Sequence, residues 1–222
     1  MKFDIMKLFV CGLPIWVIVR VIVLINKYKN KEKYIFLKEI MVNIFILYLF
    51  ILISLVILPI DTDENYFSGF TIYEKMNINL LPFRDFIENK YTNINLIKNN
   101  LIGNTLLLLP FTLYLCLIKS SLRNFKKTII VSFLISLSIE TIQLIMNCMS
   151  IVPQLRAVDI DDLIMNTLGG CIAYIIFKLS YRGKLKLFID KIYINKELNS
   201  DSQEALEEDI KIYKQDILRE DN

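Results

Sequence analysis

The chain has 222 residues, of which 55% are hydrophobic, and this share lies above that of an ordinary soluble domain. It contains no histidine, which excludes His-containing catalytic triads and removes the commonest metal ligand, and its four cysteines lack the paired spacing of a disulfide framework or zinc site. The formal net charge of +3 is small and no base-reading motif is present, so we predict no nucleic-acid partner, no metal and no cofactor.

The apolar residues are gathered in five runs. Each run approaches the ~20 residues that a helix needs to cross ~30 Å of hydrocarbon. Helices cross membranes because they satisfy their own backbone hydrogen bonds. We therefore predict an all-α, polytopic membrane bundle of five transmembrane helices, since the alternative, a soluble buried bundle, fits runs of this length poorly. The runs cover residues 8–25, 40–60, 101–118, 128–149 and 160–179.

Basic residues are concentrated in alternate loops. Lysine and arginine cluster in residues 27–38, in residues 119–127 and in residues 178–186. Positive loops remain cytoplasmic, which places the first and third loops and the C-terminus inside. The N-terminus and the second and fourth loops are then predicted to lie outside. The first run carries Arg20 and lacks a small-x-small cleavage site, so we read it as a retained helix and not as a signal peptide.

These features divide the chain into four parts. Within the second loop, residues 79–86 carry the apolar side chains of Leu81, Phe83 and Phe86 beside Arg84. This segment either dips into the outer headgroup layer or caps the bundle, and both readings remain open. In the tail, apolar residues recur at helical spacing over 206–217, which predicts an amphipathic helix. The parts are an N-terminal transmembrane helix pair (1–60), an extracellular loop with an interfacial segment (61–100), a transmembrane core (101–182) and a charged cytoplasmic tail (183–222).

The third run contains Pro110. Proline removes a backbone hydrogen bond from a helix and kinks it. The carbonyl that it frees needs a partner at membrane depth. Asn104 and Thr112 lie one or two turns away at most, so we expect one of them to organise that partner.

The fourth run carries an isolated polar pair. Glu140 and Gln143 are three residues apart and therefore share one helix face. Ionisable groups at membrane depth are costly, and they usually face a protein interior or a wet cavity and mark function. Arg156 is the nearest cation on the same predicted side, and its planar fork can hold a carboxylate or a phosphate. We expect Arg156 to pair with Glu140 or with an anionic ligand.

The fifth run begins with a second polar set. Asp159, Asp162, Asn166 and Gly169 are separated by three, four and three positions, which puts them on one helix face. Asp159 also suits the N-cap position, and the glycines allow close helix contact. The set could form a polar network that locks the helices, a headgroup site, or a divalent-cation site built on carboxylate oxygens. Its members are Asp159, Asp162, Asn166 and Gly169-Gly170.

At these residues the sequence resembles the VanZ-like family, named for a teicoplanin-resistance protein of Gram-positive bacteria. The resemblance covers roughly residues 79–174. It departs from the family at Thr112 and Ala173, where glycine is frequent, and in the long stretch between Gln143 and Arg156. The motifs that carry it are Asn79-Leu-Leu-Pro82-Phe83, Asn104 with Pro110 six residues later, Glu140-x-x-Gln143, and Arg156-x-x-Asp159-x-x-Asp162-x-x-x-Asn166-x-x-Gly169.

The resemblance implies a multi-pass protein of the bacterial cell membrane and low-level resistance to lipophilic glycopeptides. It brings no established reaction. Our leading hypothesis is a non-enzymatic envelope factor that binds membrane lipid, a cell-wall lipid precursor or the lipoglycopeptide at the outer leaflet. In this hypothesis Arg156 holds an anionic group and the other polar residues line the pocket. The predicted ligand-binding residues are Asn104, Glu140, Gln143, Arg156, Asp159, Asp162 and Asn166.

Two alternatives stay open. The first is an intramembrane enzyme acting on a lipid-linked substrate, with Glu140 or Asp162 as the base and Arg156 stabilising developing charge. Missing histidine and nucleophile motifs count against it. The second is a structural or partner-docking membrane protein, in which the same polar residues serve assembly alone.

Overall fold

The computed structural model of the protein describes residues 2–30, 35–61, 67, 69–84, 87 and 94–193, and it leaves out the side chains of 94–99, 184 and 191–192. Phe86 and the predicted amphipathic helix over 206–217 lie outside the described residues. Two short strand pairs accompany the helices, β1 (Lys2–Phe3) with β2 (Ile60–Asp61) and β3 (Ile78–Asn79) with β4 (Val158–Asp159). The described helices are α1 (Ile5–Lys29), α2 (Phe36–Val56), α3 (Ile72–Met76), α4 (Ile94–Ile118), α5 (Phe125–Cys148), α6 (Ile160–Ser180) and α7 (Gly183–Tyr193), with a 3-10 turn at Ser120–Leu122.

Five of these helices match the predicted membrane spans. Within the described part of the chain, α1, α2, the Asn100–Ile118 portion of α4, α5 and α6 are long and apolar enough to cross a bilayer. The prediction of an all-α, multi-pass membrane protein with five spans is thereby confirmed. Which side of the membrane each terminus occupies stays a prediction.

The centre of the bundle is the packing of α6 against α4 and α5. A Cβ added at Gly169 would lie 2.0 Å from the backbone oxygen of Thr105 in α4. One added at Gly170 would lie 2.1 Å from the hydroxyl oxygen of Ser132 in α5. The two glycines therefore allow α6 to touch both neighbours closely, as small residues do between membrane helices.

Helix α2 begins and ends four residues earlier than the apolar run that predicted it. We expected its apolar run to continue to Ile60, but the helix ends at Val56. Pro59 has no backbone N–H and disfavours a helical conformation at Leu58, so the chain leaves the helix before the proline. It then forms β2, which pairs antiparallel with β1 and brings Lys2 opposite Asp61. The N-terminus and the start of the second loop therefore lie at the same end of the bundle.

The surroundings of Pro110 also differ from expectation. Neither predicted side chain serves the carbonyl freed by the proline, because Asn104 donates to Asp162 and Thr112 hydrogen-bonds Ser132 at 3.1 Å. The carbonyl that the proline frees is that of Leu106, four residues earlier. At the neighbouring position, the hydroxyl of Tyr48 from α2 donates to the backbone oxygen of Leu107 at 2.5 Å, and this hydrogen bond joins α2 to α4.

Helix α7 folds back onto the end of the bundle that carries the basic loops. Ile189 and Tyr193 are buried there against residues of α2, α4 and the end of α6. The first part of the segment predicted as a charged tail is therefore a packed helix.

Candidate functional site

The polar face of α5 points into the bundle near the C-terminal end of that helix. Glu140 and Asn147 are buried, with 4% and 0% of their surface exposed, and Gln143 between them is partly buried. An oxygen of the Glu140 carboxylate accepts a hydrogen bond from the backbone N–H of Asp159 at 3.3 Å. This contact places Glu140 beside the first turn of α6.

Asp159 caps that first turn as the sequence predicted. One of its carboxylate oxygens accepts from the N–H of Asp161 at 2.9 Å, which satisfies one of the donors left free at a helix N-terminus. The other oxygen accepts from the side-chain amide of Asn79 at 2.9 Å. Asn79 also faces Asp159 in the parallel β3–β4 pair, so the second loop is fixed onto the start of α6.

Asp161 holds the same loop at a second point. Its carboxylate is 8% exposed and accepts from the N–H of Phe83 through both oxygens, at 2.8 and 3.0 Å. The loop backbone therefore caps the bundle, which was one of the two readings of residues 79–86. The side chains of Leu80 and Leu81 nevertheless stay 74% and 53% exposed, as the headgroup reading requires of the apolar positions.

Asp162 lies deeper and joins α6 to α4. Its carboxylate accepts from the side-chain amide of Asn104, and it is close enough to Glu140 for the two carboxylates to interact electrostatically. The structure thus brings together Asn104, Glu140, Asp159 and Asp162. Across the described residues no three acidic, cysteine or histidine groups converge as metal ligands do, so the divalent-cation reading gains no support.

Asn166 lies two turns into α6. It is 1% exposed, and its side-chain oxygen has no hydrogen-bond partner among the described residues. The hydroxyl oxygen of Ser136 in α5, at 0% exposure, is also without a partner there. Buried polar atoms without a partner are rare in proteins and call for an explanation.

Arg156 does not pair with Glu140. Its guanidinium donates to the backbone oxygens of Leu55, Val56 and Leu58 at the end of α2. No ion pair joins it to Glu140, although the structure describes both residues, so the predicted pairing is wrong. The last carbonyls of a helix lack intrahelical partners and carry partial negative charge, and the guanidinium meets that need. Burial lowers the pKa of Arg156.

Gln143 adds to the same contact. Its side-chain amide donates to the Val56 oxygen at 3.2 Å. The Arg156 and Gln143 side chains therefore fasten the end of α2 to α5 and to the loop that follows α5. Of the predicted ligand-binding set, these two lie to one side of the group around Glu140 and Asp162.

Three structurally important polar residues were absent from the predicted site. Asn147 donates to the backbone oxygen of Arg156 at 2.7 Å and accepts from its N–H at 3.2 Å. A sequence signal existed, because Glu140, Gln143 and Asn147 follow three-four spacing on one helix face. Asn79 and Asp161 had only weak local signals, since their partners lie about eighty residues away.

Comparison with known proteins identifies one family. The model of the VanZ/LLP1 family matches residues 45–181, which contain every residue of the predicted site. No curated protein and no solved structure gives a significant match. The match covers well over half of the chain, from α2 to the end of α6. The protein therefore belongs to the VanZ/LLP1 family and is a multi-pass membrane member of it.

Proposed function

We propose that this protein is a non-enzymatic factor of the cell envelope that binds the polar head of an amphiphile between α4, α5 and α6. The amphiphile is a cell-wall lipid precursor or a teicoplanin-type lipoglycopeptide, and the outcome is low-level resistance to that class of antibiotic. The resistance part of the proposal comes from the family. The binding part is supported by the chemistry of the site.

One observation carries the binding proposal: the Glu140 carboxylate and the Asn166 side-chain oxygen are buried hydrogen-bond acceptors without full partners among the described residues. Glu140 has a single described partner, at 3.3 Å, and the Asn166 oxygen has none within the described chain. Neither Glu140 nor Asp162 forms an ion pair with a described residue. Such a site favours a ligand that brings donors, such as hydroxyl, amide N–H or ammonium groups.

The acceptors at the site favour a ligand rich in hydrogen-bond donors, whereas the sequence suggested an anionic one. We expected Arg156 to hold an anionic group, but its guanidinium donors are used by the carbonyls that end α2. We now assign Arg156 and Gln143 to holding α2 in place, and the headgroup contacts to Glu140, Asp162 and Asn166. Asp159 and Asn104 orient these groups through their hydrogen bonds. Sugars and peptides of cell-wall precursors and lipoglycopeptides are rich in the required donors.

The predicted topology puts this site in the outer half of the membrane. Asp159 is tied to the second loop through Asn79, and that loop begins beside the N-terminal strand. Asn166 lies seven residues further along α6, about 10 Å deeper at ~1.5 Å per residue. A headgroup entering from the outer surface would pass Asp159 and Asp162 before it reached Asn166.

The structural alternative has its own supporting observation. Most polar side chains here already have partners: Asn79 with Asp159, Asn104 with Asp162, and Asn147 with the Arg156 backbone. A network of this kind can lock helices without any ligand. The enzymatic alternative loses support, because Arg156 is not placed to stabilise charge at Glu140 or Asp162. We assign no catalytic residue.

The test is protection of a susceptible Gram-positive host against teicoplanin. Cells would express the wild type, Glu140→Gln, or the control Thr141→Val, whose exposed side chain hydrogen-bonds only within its own helix. At matched membrane levels, we expect the wild type and the control to protect and Glu140→Gln to lose protection. Protection by all three would exclude Glu140 from the site. Failure of a well-inserted wild type would contradict the resistance proposal.

A further inference from the structure

A pocket lies next to the basic loops, at the opposite end of the bundle from the site around Glu140. It is an open cavity of about 330 Å³ between the start of α5, the end of α6 and the turn into α7. Three cations and three aromatic rings line it: Arg123, Tyr174, Phe177, Lys178, Tyr181 and Arg182. None of these residues belongs to the site around Glu140.

Arg123 forms the floor of the pocket, where several hydrogen bonds and a ring contact hold its guanidinium in place. Its guanidinium donates to the backbone oxygens of Cys116 and Leu117 at 3.1 and 3.2 Å. It also donates to Asp190 of α7 at 2.8 Å and to the Tyr181 hydroxyl at 2.7 Å. The guanidinium carbon lies 4.6 Å from the centre of the Tyr181 ring, a distance at which a cation and an aromatic face attract.

Asp190 neutralises the charge of Arg123. The two basic side chains at the rim of the pocket have no acidic partner among the described residues. Lys178 and Arg182 are exposed, and neither forms an ion pair with any residue that the structure describes. Burial raises the pKa of Tyr181, so its hydroxyl stays a neutral donor to Asp190 at 2.5 Å. The pocket therefore presents, among the described residues, two positive charges without an acidic partner above an aromatic floor.

The position of the pocket identifies the kind of anion that it would meet. Lys178 lies in the last turn of the α6 span, and Arg182 lies just beyond its end. Long basic side chains at this level reach the membrane–water interface, where aromatic rings are also enriched. Basic pockets between transmembrane helices on the side of the basic loops are suited to anionic lipid headgroups.

We infer that this pocket binds the phosphate of an anionic phospholipid in the leaflet next to the basic loops. Lys178 and Arg182 hold the phosphate, while the partly exposed ring of Tyr174 contacts the glycerol and the first carbons of the chains. The bound lipid spans the junction of α5, α6 and α7. It would thus strengthen the docking of α7 independently of any ligand near Glu140.

The experiment measures thermal unfolding of the purified full chain in nanodiscs of phosphatidylcholine, with and without phosphatidylglycerol. The test variant is the double substitution Lys178→Gln with Arg182→Gln. The matched control is Lys126→Gln with Lys127→Gln, which removes the same charge from exposed residues at the same end but outside the pocket. Unfolding in pure phosphatidylcholine shows that each variant is folded.

We expect phosphatidylglycerol to raise the melting temperature of the wild type and the control. The test variant should lose more than half of that rise. Inorganic phosphate, added to pure phosphatidylcholine nanodiscs, should leave the wild type unchanged. Equal losses in both double variants would show that only general charge matters and would overturn the inference, and so would a full effect from inorganic phosphate.

Discussion

Arg156 joins the end of α5 to the end of α2, which lies about one hundred residues earlier in the sequence. Its side chain binds the carbonyls that end α2, while its backbone is held by Asn147 of α5. Carbonyls without partners are especially costly near hydrocarbon, where water cannot replace the lost bond. A residue that looked like a ligand anchor in the sequence is therefore a helix cap in the structure.

We predict that Arg156→Gln destabilises the protein. Glutamine is too short and has too few donors to reach all three carbonyls, and each lost charged hydrogen bond costs about 1.5–3 kcal/mol. Thermal unfolding in detergent should therefore shift clearly downward, together with membrane levels. Lys126→Gln, which removes an exposed charge, should behave like the wild type. An unchanged melting temperature for Arg156→Gln would contradict the capping role.

At the scale of elements, the packing of α6 on α4 depends on a backbone-to-backbone approach. The atom that a new Cβ at Gly169 would meet is a main-chain oxygen of α4, which cannot rotate away. Gly170 faces the side chain of Ser132 instead, which has some freedom to move. A side chain at position 169 is therefore harder to accommodate than one at position 170.

We predict that Gly169→Ala lowers the free energy of unfolding by about 1–3 kcal/mol or more, the usual cost of overpacking. Gly103→Ala provides a control within the same bundle, because nothing lies within 4 Å of a Cβ added there. Alanine also favours helix over glycine by about 1 kcal/mol, so Gly103→Ala should leave the protein as stable or slightly more stable. Equal melting temperatures for the two alanine variants would refute the close contact.

At the scale of the whole molecule, sequence patterns predicted the features that depend on residues close together in the chain. The five spans follow from the length of the apolar runs, and the Asp159 cap follows from its position before a helix. The end of α2 is also local, because Pro59 stops the helix, although the apolar run continues past it. The role of Arg156 and the tether from Asp161 to Phe83 depend instead on partners about eighty to one hundred residues away. Hydrophobic length and helical spacing carry no information about such pairs, so a single sequence could not reveal them.

The orientation of the chain across the membrane is also a property of the whole molecule. The β1–β2 pair puts the N-terminus and the second loop at one end, and the positive loops predict that this end is outside. In a chain freed of its native cysteines, Tyr73→Cys in the second loop, at a position 87% exposed, should react with a membrane-impermeant maleimide on intact cells. Lys186→Cys should react only after permeabilisation. The reverse pattern would invert the topology and move the proposed site to the inner half.

Two buried asparagines form a matched pair that tests whether the buried acceptors near Glu140 form a binding site. Asn166 and Asn147 are equally buried, but the Asn166 oxygen has no partner among the described residues, whereas Asn147 makes two hydrogen bonds. Leucine has the same branching and removes the polar atoms. Replacing a buried group without a partner is neutral or stabilising, while breaking a satisfied pair is costly.

The measurement combines thermal unfolding of the purified protein with binding of labelled cell-wall lipid precursor. We predict that Asn166→Leu unfolds at the same or a higher temperature than the wild type and loses lipid binding. Asn147→Leu should unfold at a clearly lower temperature. If Asn166→Leu lowers the melting temperature as much as Asn147→Leu does, or retains full lipid binding, the polar group serves packing and the binding-site claim fails.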